Sequence, residues 1–168
     1  QDTLLAWNTR VNLTAIRTPD EVRLKHFLDS LTCLPPMQAD AAPRVIDVGT
    51  GAGFPGLVLK IARPEIRLTL VESVAKKAAF CLHIVETLAL EGVEILTLRA
   101  EEVGHLPEHR ESYDWALARA VASLSVLAEY LLPLVRVSGQ MLGQMGTTAP
   151  EETRTARPAF ETLGGTPY

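Results

Sequence analysis

Arg44-Val45-Ile46-Asp47-Val48-Gly49-Thr50-Gly51-Ala52-Gly53-Phe54-Pro55-Gly56 is the stretch on which the fold turns. A short apolar run ends in Asp47, the glycines Gly49, Gly51 and Gly53 alternate, and a helical apolar pattern follows. Glycine lets backbone take left-handed φ and pass close to a ligand, which suits the mouth of a parallel sheet. Working outward, strands are predicted at residues 44–48, 67–71, 93–98, 113–117 and 139–144, the last weakened by its glycines. Helices are predicted at 55–62, 74–90 and 123–135, with a short one near 101–106. This alternation implies an α/β, Rossmann-like fold: a mostly parallel sheet with helices on both faces.

The glycine run suits a nucleotide-like cofactor, and its flanks bear on which one. Gly51-x-Gly53-x-x-Gly56 satisfies the dinucleotide fingerprint, and Glu72 ends the next strand about 20 residues on, as that fingerprint asks. Two details oppose a pyrophosphate. Pro55 has no N–H where a helix would aim its first amides at the ligand, and Asp47 places negative charge before the turn. S-adenosylmethionine carries a sulfonium and an ammonium and no phosphate, so Asp47 favours it. Gly49, Gly51 and Gly53 would allow its close approach, and Glu72 would accept from its ribose hydroxyls. The plainer alternative is that these glycines only turn the chain.

The first forty residues read as a helical cap (1–40) before the sheet domain (41–168). Residues 2–12 can form one helix. Thr18-Pro19-Asp20-Glu21 is a capping box that opens a helix to about residue 34. Leu24, Phe27, Leu28 and Leu31 would form its apolar stripe, with Arg23, His26 and Ser30 on the polar side. Residues 147–168 are rich in Thr, Pro and Gly and lack the strands that normally complete the fold. Since the chain also starts at Gln1, the expectation is that N-terminal residues are missing and that the C-terminus is cut or disordered.

At 168 residues and 47% apolar content the chain can bury one sizeable core, hence one domain. Its net charge of −4 does not advertise nucleic-acid binding, which depends on a local basic patch instead. Cys33 and Cys81 lie far apart in helical patterns, which suits buried thiols in a reducing cytosol, not a disulfide or a zinc site. No metal is expected, and no apolar run approaches membrane-spanning length.

Three loops after strands carry candidate chemistry. Arg99-Ala100-Glu101-Glu102 follows the third strand, where Glu101 could accept from the exocyclic amine of adenine and the Ala100 N–H could donate to its ring. The alternative is a solvated acidic loop. Arg119, in Ala118-Arg119-Ala120-Val121, follows the fourth strand at the usual place for a methyltransferase's catalytic residue. Enzymes acting on amino groups often carry Asn/Asp-Pro-Pro there, because an amine must shed a proton. Guanine N7 attacks with an in-plane lone pair and needs no general base, so a cationic donor to O6 or a phosphate suffices. The alternative is an arginine paired with Asp114 or Glu101. Lys76 and Lys77, with Arg17, Arg23, Lys25, His26 and Arg99, could form a basic rim for RNA, or be merely solvated.

Taken in order, Trp7-Asn8, Asn12-Leu13-Thr14-Ala15-Ile16, Lys25-His26-Phe27-Leu28-Asp29-Ser30, the glycine run through Gly56, Lys76-Lys77, Arg99-Ala100-Glu101 and Arg119-Ala120-Val121 resemble the bacterial 16S ribosomal RNA guanine-N7 methyltransferase family, also called glucose-inhibited division protein B. The resemblance covers nearly all of residues 5–146. It implies a class I S-adenosylmethionine-dependent methyltransferase domain behind an N-terminal helical cap. Its activity would be rRNA methylation at N7 of a guanosine in the 530 loop of 16S rRNA, by in-line displacement at the sulfonium methyl. The partner would be the RNA or the 30S subunit, and the enzyme a cytoplasmic monomer off the membrane. By motif position Asp47, Gly49, Gly51, Gly53, Phe54, Glu72, Ala100, Glu101 and Arg119 would surround the cofactor. Arg119, His26 and Asn12 would serve the target base, and Lys76, Arg99, Arg23 and Lys25 would contact RNA. Met145-Gly146 stands where the family usually carries Lys-Gly, removing one basic contact. A nicotinamide-dependent oxidoreductase and a non-catalytic RNA- or nucleotide-binding module are the alternatives.

Overall fold

A computed structural model describes residues 1–119, 122–146 and 149–167. Five parallel strands, β1 (Arg44–Val48), β2 (Arg67–Val71), β3 (Val93–Leu96), β4 (Tyr113–Arg119) and β5 (Val135–Gln144), lie in the order β3-β2-β1-β4-β5. The order reverses between β1 and β4, and at such a switch point crossovers leave to opposite faces and open a crevice above the strand ends. Side chains alternate across the sheet, and both faces are covered, which is why β1 reads as a nearly continuous apolar run. Val45, Leu68, Leu70, Trp115 and Leu117 pack in one core with Leu57, Leu59, Phe80 and Cys81 of α4 (Gly56–Ala62) and α5 (Ala75–Thr87). Ile46, Val48 and Ala116 pack in the other with Val103 of α6 (Ala100–Val103) and Leu127 and Leu131 of α7 (Leu124–Leu131).

The cap belongs to the first of these cores, through Leu4 of α1 (Asp2–Asn8), Leu13, Val22, Cys33 and Met37. Thr18 caps α2 (Pro19–Val22), accepting from the Glu21 N–H, as expected. The chain then runs through a π-helical segment (Arg23–Leu28) into α3 (Asp29–Leu31). That segment overturns half of the predicted stripe, although Phe27 packs against the core. Leu24 and Leu28 are 59% and 55% exposed, whereas Val22 and Ser30 are fully buried. A π turn holds more residues than an α turn, so faces extrapolated at 3.6 residues drift around the axis. Ser30 tolerates burial because its hydroxyl donates to the His26 carbonyl.

Two further expectations change. In place of an irregular tail, α8 (Ala149–Thr162) seals Ala156 and Phe160 against Leu124 and Ala128 of α7. Strand β5 starts earlier than predicted, because a register irregularity beside Tyr113 and Trp115 accommodates Ser138 at φ +66° and the crowded Gly139. No helix among the described residues is long and apolar enough to cross a membrane.

Candidate active site

The glycine turn is built on two buried acids. Asp47 ends fully buried, and its Oδ2 accepts from the Gly56 N–H (2.8 Å) and the Thr50 hydroxyl (2.6 Å). Glu72, 6% exposed at the end of β2, accepts from the Gly51 N–H (2.9 Å) and the Val74 N–H (2.8 Å). The acids therefore brace the turn that the glycines permit: Gly49 and Gly51 sit at φ +69° and +60°. A Cβ on Gly56 would lie 2.7 Å from Leu70 and 2.9 Å from Asp47 Oδ2, so the helix can approach the strand only with glycine there. Burial pushes the Asp47 carboxyl up to about 6, against the opposing hydrogen bonds and the charge of Arg119. Asp47 Oδ1 is buried with no partner among the described residues.

Beside this turn lies a cleft of about 200 Å³, lined by the ends of β1 and β2 (Gly49, Glu72), by Leu98 to Glu101, and by Ala122 and Tyr130. Ala100 opens α6, and Glu101 accepts from the Tyr130 hydroxyl at 3.0 Å. Hydrogen bonds from its own N–H and from Tyr130 hold the Glu101 carboxyl below its usual range. The charged residues of its lining are the acids Glu72 and Glu101 and the cation Arg99. Carboxylate acceptors from two elements of the cleft, Glu72 and Glu101, fit a ligand carrying hydroxyls and an amine, as S-adenosylmethionine does, better than a pyrophosphate. A larger groove of about 730 Å³ between β5 and α8 contains none of the candidate residues, whereas the smaller cleft lies at the switch point, where ligands of such sheets bind.

Arg119 pairs with neither Asp114 nor Glu101. Asp114 instead accepts from Arg136 and the Arg44 N–H. The Arg119 guanidinium reaches into the cap, donating to Asp29 (2.9 Å), the Lys25 carbonyl (3.4 Å) and His26 Nδ1 (3.2 Å), above the ring of Phe54. His26 stacks on Phe54 at 4.5 Å, and its Nε2 lies 2.8 Å from the Thr14 hydroxyl. Burial foremost, then the charge of Arg119, lowers the His26 pKa despite Asp29. Arginine can only donate, so Nδ1 accepts, and the neutral ring carries its proton on Nε2 toward Thr14. Phe54 is 8% exposed, a platform under His26 and Arg119 more than a ligand surface.

The sequence reading missed what aligns this cluster. Asn8, 8% exposed, accepts from the Leu13 and Thr14 N–H groups and donates to the Thr14 carbonyl, fixing the loop that presents Thr14. Gln144, at the end of β5, donates to the Asp29 carbonyl and to Thr32, tying the sheet to α3. Asn8, Thr14 and Asp29 stood inside quoted motifs without a role; Gln144 and Tyr130 carried no signal. Asn12 is exposed, two residues before Thr14. The basic rim divides: Arg23 and Lys25 pair with Asp20 and Glu21, whereas Lys76 and Arg99 form no ion pair among the described residues. Ala120 and Val121 of the Arg119 motif lie outside those residues.

The chain matches the model of the GidB family, rRNA small subunit methyltransferase G, over residues 1–168. The chain belongs to that family. It is 56% identical over 162 residues to the Ribosomal RNA small subunit methyltransferase G of Roseiflexus sp. (strain RS-1), covering 96% of this chain and 69% of that protein. It is 47% identical to the protein of the same name from Desulforamulus reducens, with 96% and 68% covered. Its fold resembles a SAM-dependent O-methyltransferase of Thermotoga maritima (TM-score 0.65, 16% identity, 95% of this chain and 55% of that one). A SAM-dependent methyltransferase of Aquifex aeolicus is similar (TM-score 0.61, 19% identity, 88% and 83%). The family resemblance and the class I methyltransferase fold are thereby established, and the nicotinamide alternative falls away.

Proposed function

We propose that this enzyme transfers a methyl group from S-adenosylmethionine to N7 of a guanosine in the 530 loop of 16S rRNA, with the RNA or the 30S subunit as its cytoplasmic partner. One observation carries the reading beyond family membership: the sheet and the cap place Arg119, His26 and Asp29 together beside the glycine turn, and the one acid among them, Asp29, is held in an ion pair with Arg119. His26 is neutral, but its Nδ1 lone pair already accepts from Arg119, and Arg119 cannot be a base. A cluster whose acceptors are engaged by Arg119 suits a nucleophile that keeps its lone pair and loses no proton, as guanine N7 does. The cofactor, when bound, supplies an electrophilic methyl.

In this reading Asp47 offers negative charge to the cationic part of the cofactor, Glu72 accepts from its ribose, and Glu101 meets its purine. Gly49, Gly51 and Gly53 let the backbone approach, and Phe54 supports the base-facing residues. Arg119 holds guanine O6 or a flanking phosphate, and the Phe54 platform and Thr14 keep His26 oriented around a splayed-out base. Lys76 and Arg99, which form no ion pair among the described residues, make the outer RNA contacts, with Asn12 at the exposed end of the cap loop. Catalysis comes from positioning and preorganised charge. Incubation with methyl-labelled cofactor and 30S particles or naked 16S rRNA, followed by mapping of the modified nucleotide, tests it. Label at guanine N7 in the 530 loop is expected; label on an exocyclic amine or a 2′-hydroxyl overturns the mechanism.

A further inference from the structure

Tyr130 enters neither the glycine motif nor the Arg119 cluster, yet it crosses the cleft. It projects from α7, after β4, and its hydroxyl donates at 3.0 Å to Oε1 of Glu101 on α6, after β3, 29 residues away. Tyr130 and Glu101 both line the 200 Å³ cleft, together with Leu98, Ala100 and Ala122. The two side chains thus form a strap across the cleft. An exposed glutamate samples many rotamers, and ordering it costs entropy. A phenol that donates to one oxygen removes part of that freedom before any ligand arrives.

We propose that Tyr130 is a positioning residue that sets the purine specificity of this cleft: by occupying Oε1 of Glu101 it leaves Oε2 as the oriented group that meets the purine edge. The inference rests on the S-adenosylmethionine reading of the cleft. An ionised carboxylate oxygen only accepts. It matches a 6-amino group and opposes a 6-oxo group, where two acceptors would face each other. The charge of Glu101 agrees with this arrangement, since the Tyr130 phenol is held above its ordinary pKa first by the hydrogen bond to Glu101. Sites that hydrogen-bond a ligand group reject analogues lacking it more strongly than apolar pockets reject a changed shape.

The test is calorimetry with S-adenosylhomocysteine and its 6-oxo analogue S-inosylhomocysteine, which reports binding independently of turnover. The wild type should prefer the 6-amino ligand by about tenfold or more, the scale of one charge-assisted hydrogen bond. Tyr130→Phe should lose most of that preference by weakening S-adenosylhomocysteine alone. Glu101→Gln, whose amide can donate to an oxo group, should shift the ratio toward S-inosylhomocysteine. An unchanged ratio in Tyr130→Phe, or equal weakening of both ligands, would show Tyr130 to be packing only and overturn the proposal. A wild type that binds neither ligand would overturn the cofactor reading, and the proposal with it.

Discussion

Replacing Arg119 by alanine tests the assignment of the Arg119 cluster most directly. The substitution removes the bonds to Asp29 (2.9 Å), the Lys25 carbonyl (3.4 Å) and His26 Nδ1 (3.2 Å), and the cation above Phe54. The stability cost is modest. Asp29 has 46% of its side chain exposed, so water can resolvate it, and a pair of this kind contributes about 0.2–1 kcal/mol. Adding the lost packing on Phe54, we expect a loss near 1–2 kcal/mol, small against a typical stability of about 5–15 kcal/mol. The effect on His26 is more specific. Arg119 lowers its pKa and Asp29 raises it, so removing the guanidinium leaves the acid unopposed and the pKa must rise. In the wild type a folded pKa below the unfolded one means that the unfolded state binds more protons, so stability rises with pH through the window just below 6.5 and is lost at lower pH. The variant should show a shallower slope there. Imidazole nitrogen shifts followed through a pH titration read both the pKa and the Nε2–H tautomer. Methyl transfer should fall by about 100-fold or more, the scale of one preorganised electrostatic donor. A His26 pKa that stays put, or transfer near the wild-type rate, would refute the reasoning and reduce Arg119 to a structural ion pair.

Asp47, with its carboxyl at about 6 against an unfolded value near 3.8, makes the fold less stable as pH rises from about 4 to 6, by at most about 3 kcal/mol. Asp47→Asn should therefore flatten that part of the urea-denaturation pH profile, and wild-type affinity for the sulfonium-bearing cofactor should climb through pH 6 more steeply than affinity for S-adenosylhomocysteine. Gly56→Ala should cost about 1–3 kcal/mol in urea denaturation, because the new Cβ would meet Leu70 at 2.7 Å and Asp47 Oδ2 at 2.9 Å; wild-type stability would show that the turn relaxes freely. Asn8→Ala should weaken methyl transfer more than it weakens cofactor binding, since its hydrogen bonds run to residues 13 and 14 and hold the Thr14 loop; equal losses in calorimetry and transfer would place its effect in the fold at large. Lys76→Ala should reduce RNA affinity and its salt slope more than Lys25→Ala, because Lys25 is already paired with Glu21; filter binding across a salt series would expose equal effects.

The sheet was legible because strand-to-helix alternation is local: a buried parallel strand such as 44–48 is an apolar run in any context, and glycines at φ near +60° cannot be exchanged cheaply. The acids of the turn were legible for a related reason, since a charge placed before a glycine run needs an explanation. What failed were inferences that extrapolated a period or guessed a distant partner. The stripe through Leu24 and Leu28 assumed 3.6 residues per turn, and one π segment rotated it outward. The plainer alternative for Arg119 was an ion pair with Asp114 or Glu101, acids nearer along the chain, yet its partner is Asp29, 90 residues away. Pairing across that separation is decided by how the cap packs, and no local pattern encodes it. Asn8 shows the same limit from the other side. Its polar side chain is spent entirely on the backbone of residues 13 and 14, so its effect on the candidate site runs through Thr14 and His26. The proposed cofactor half of the site therefore follows from short motifs, whereas the proposed base-facing half takes shape only once the cap has docked. A substitution that loosens the cap without touching the glycine turn should accordingly separate cofactor binding from methyl transfer.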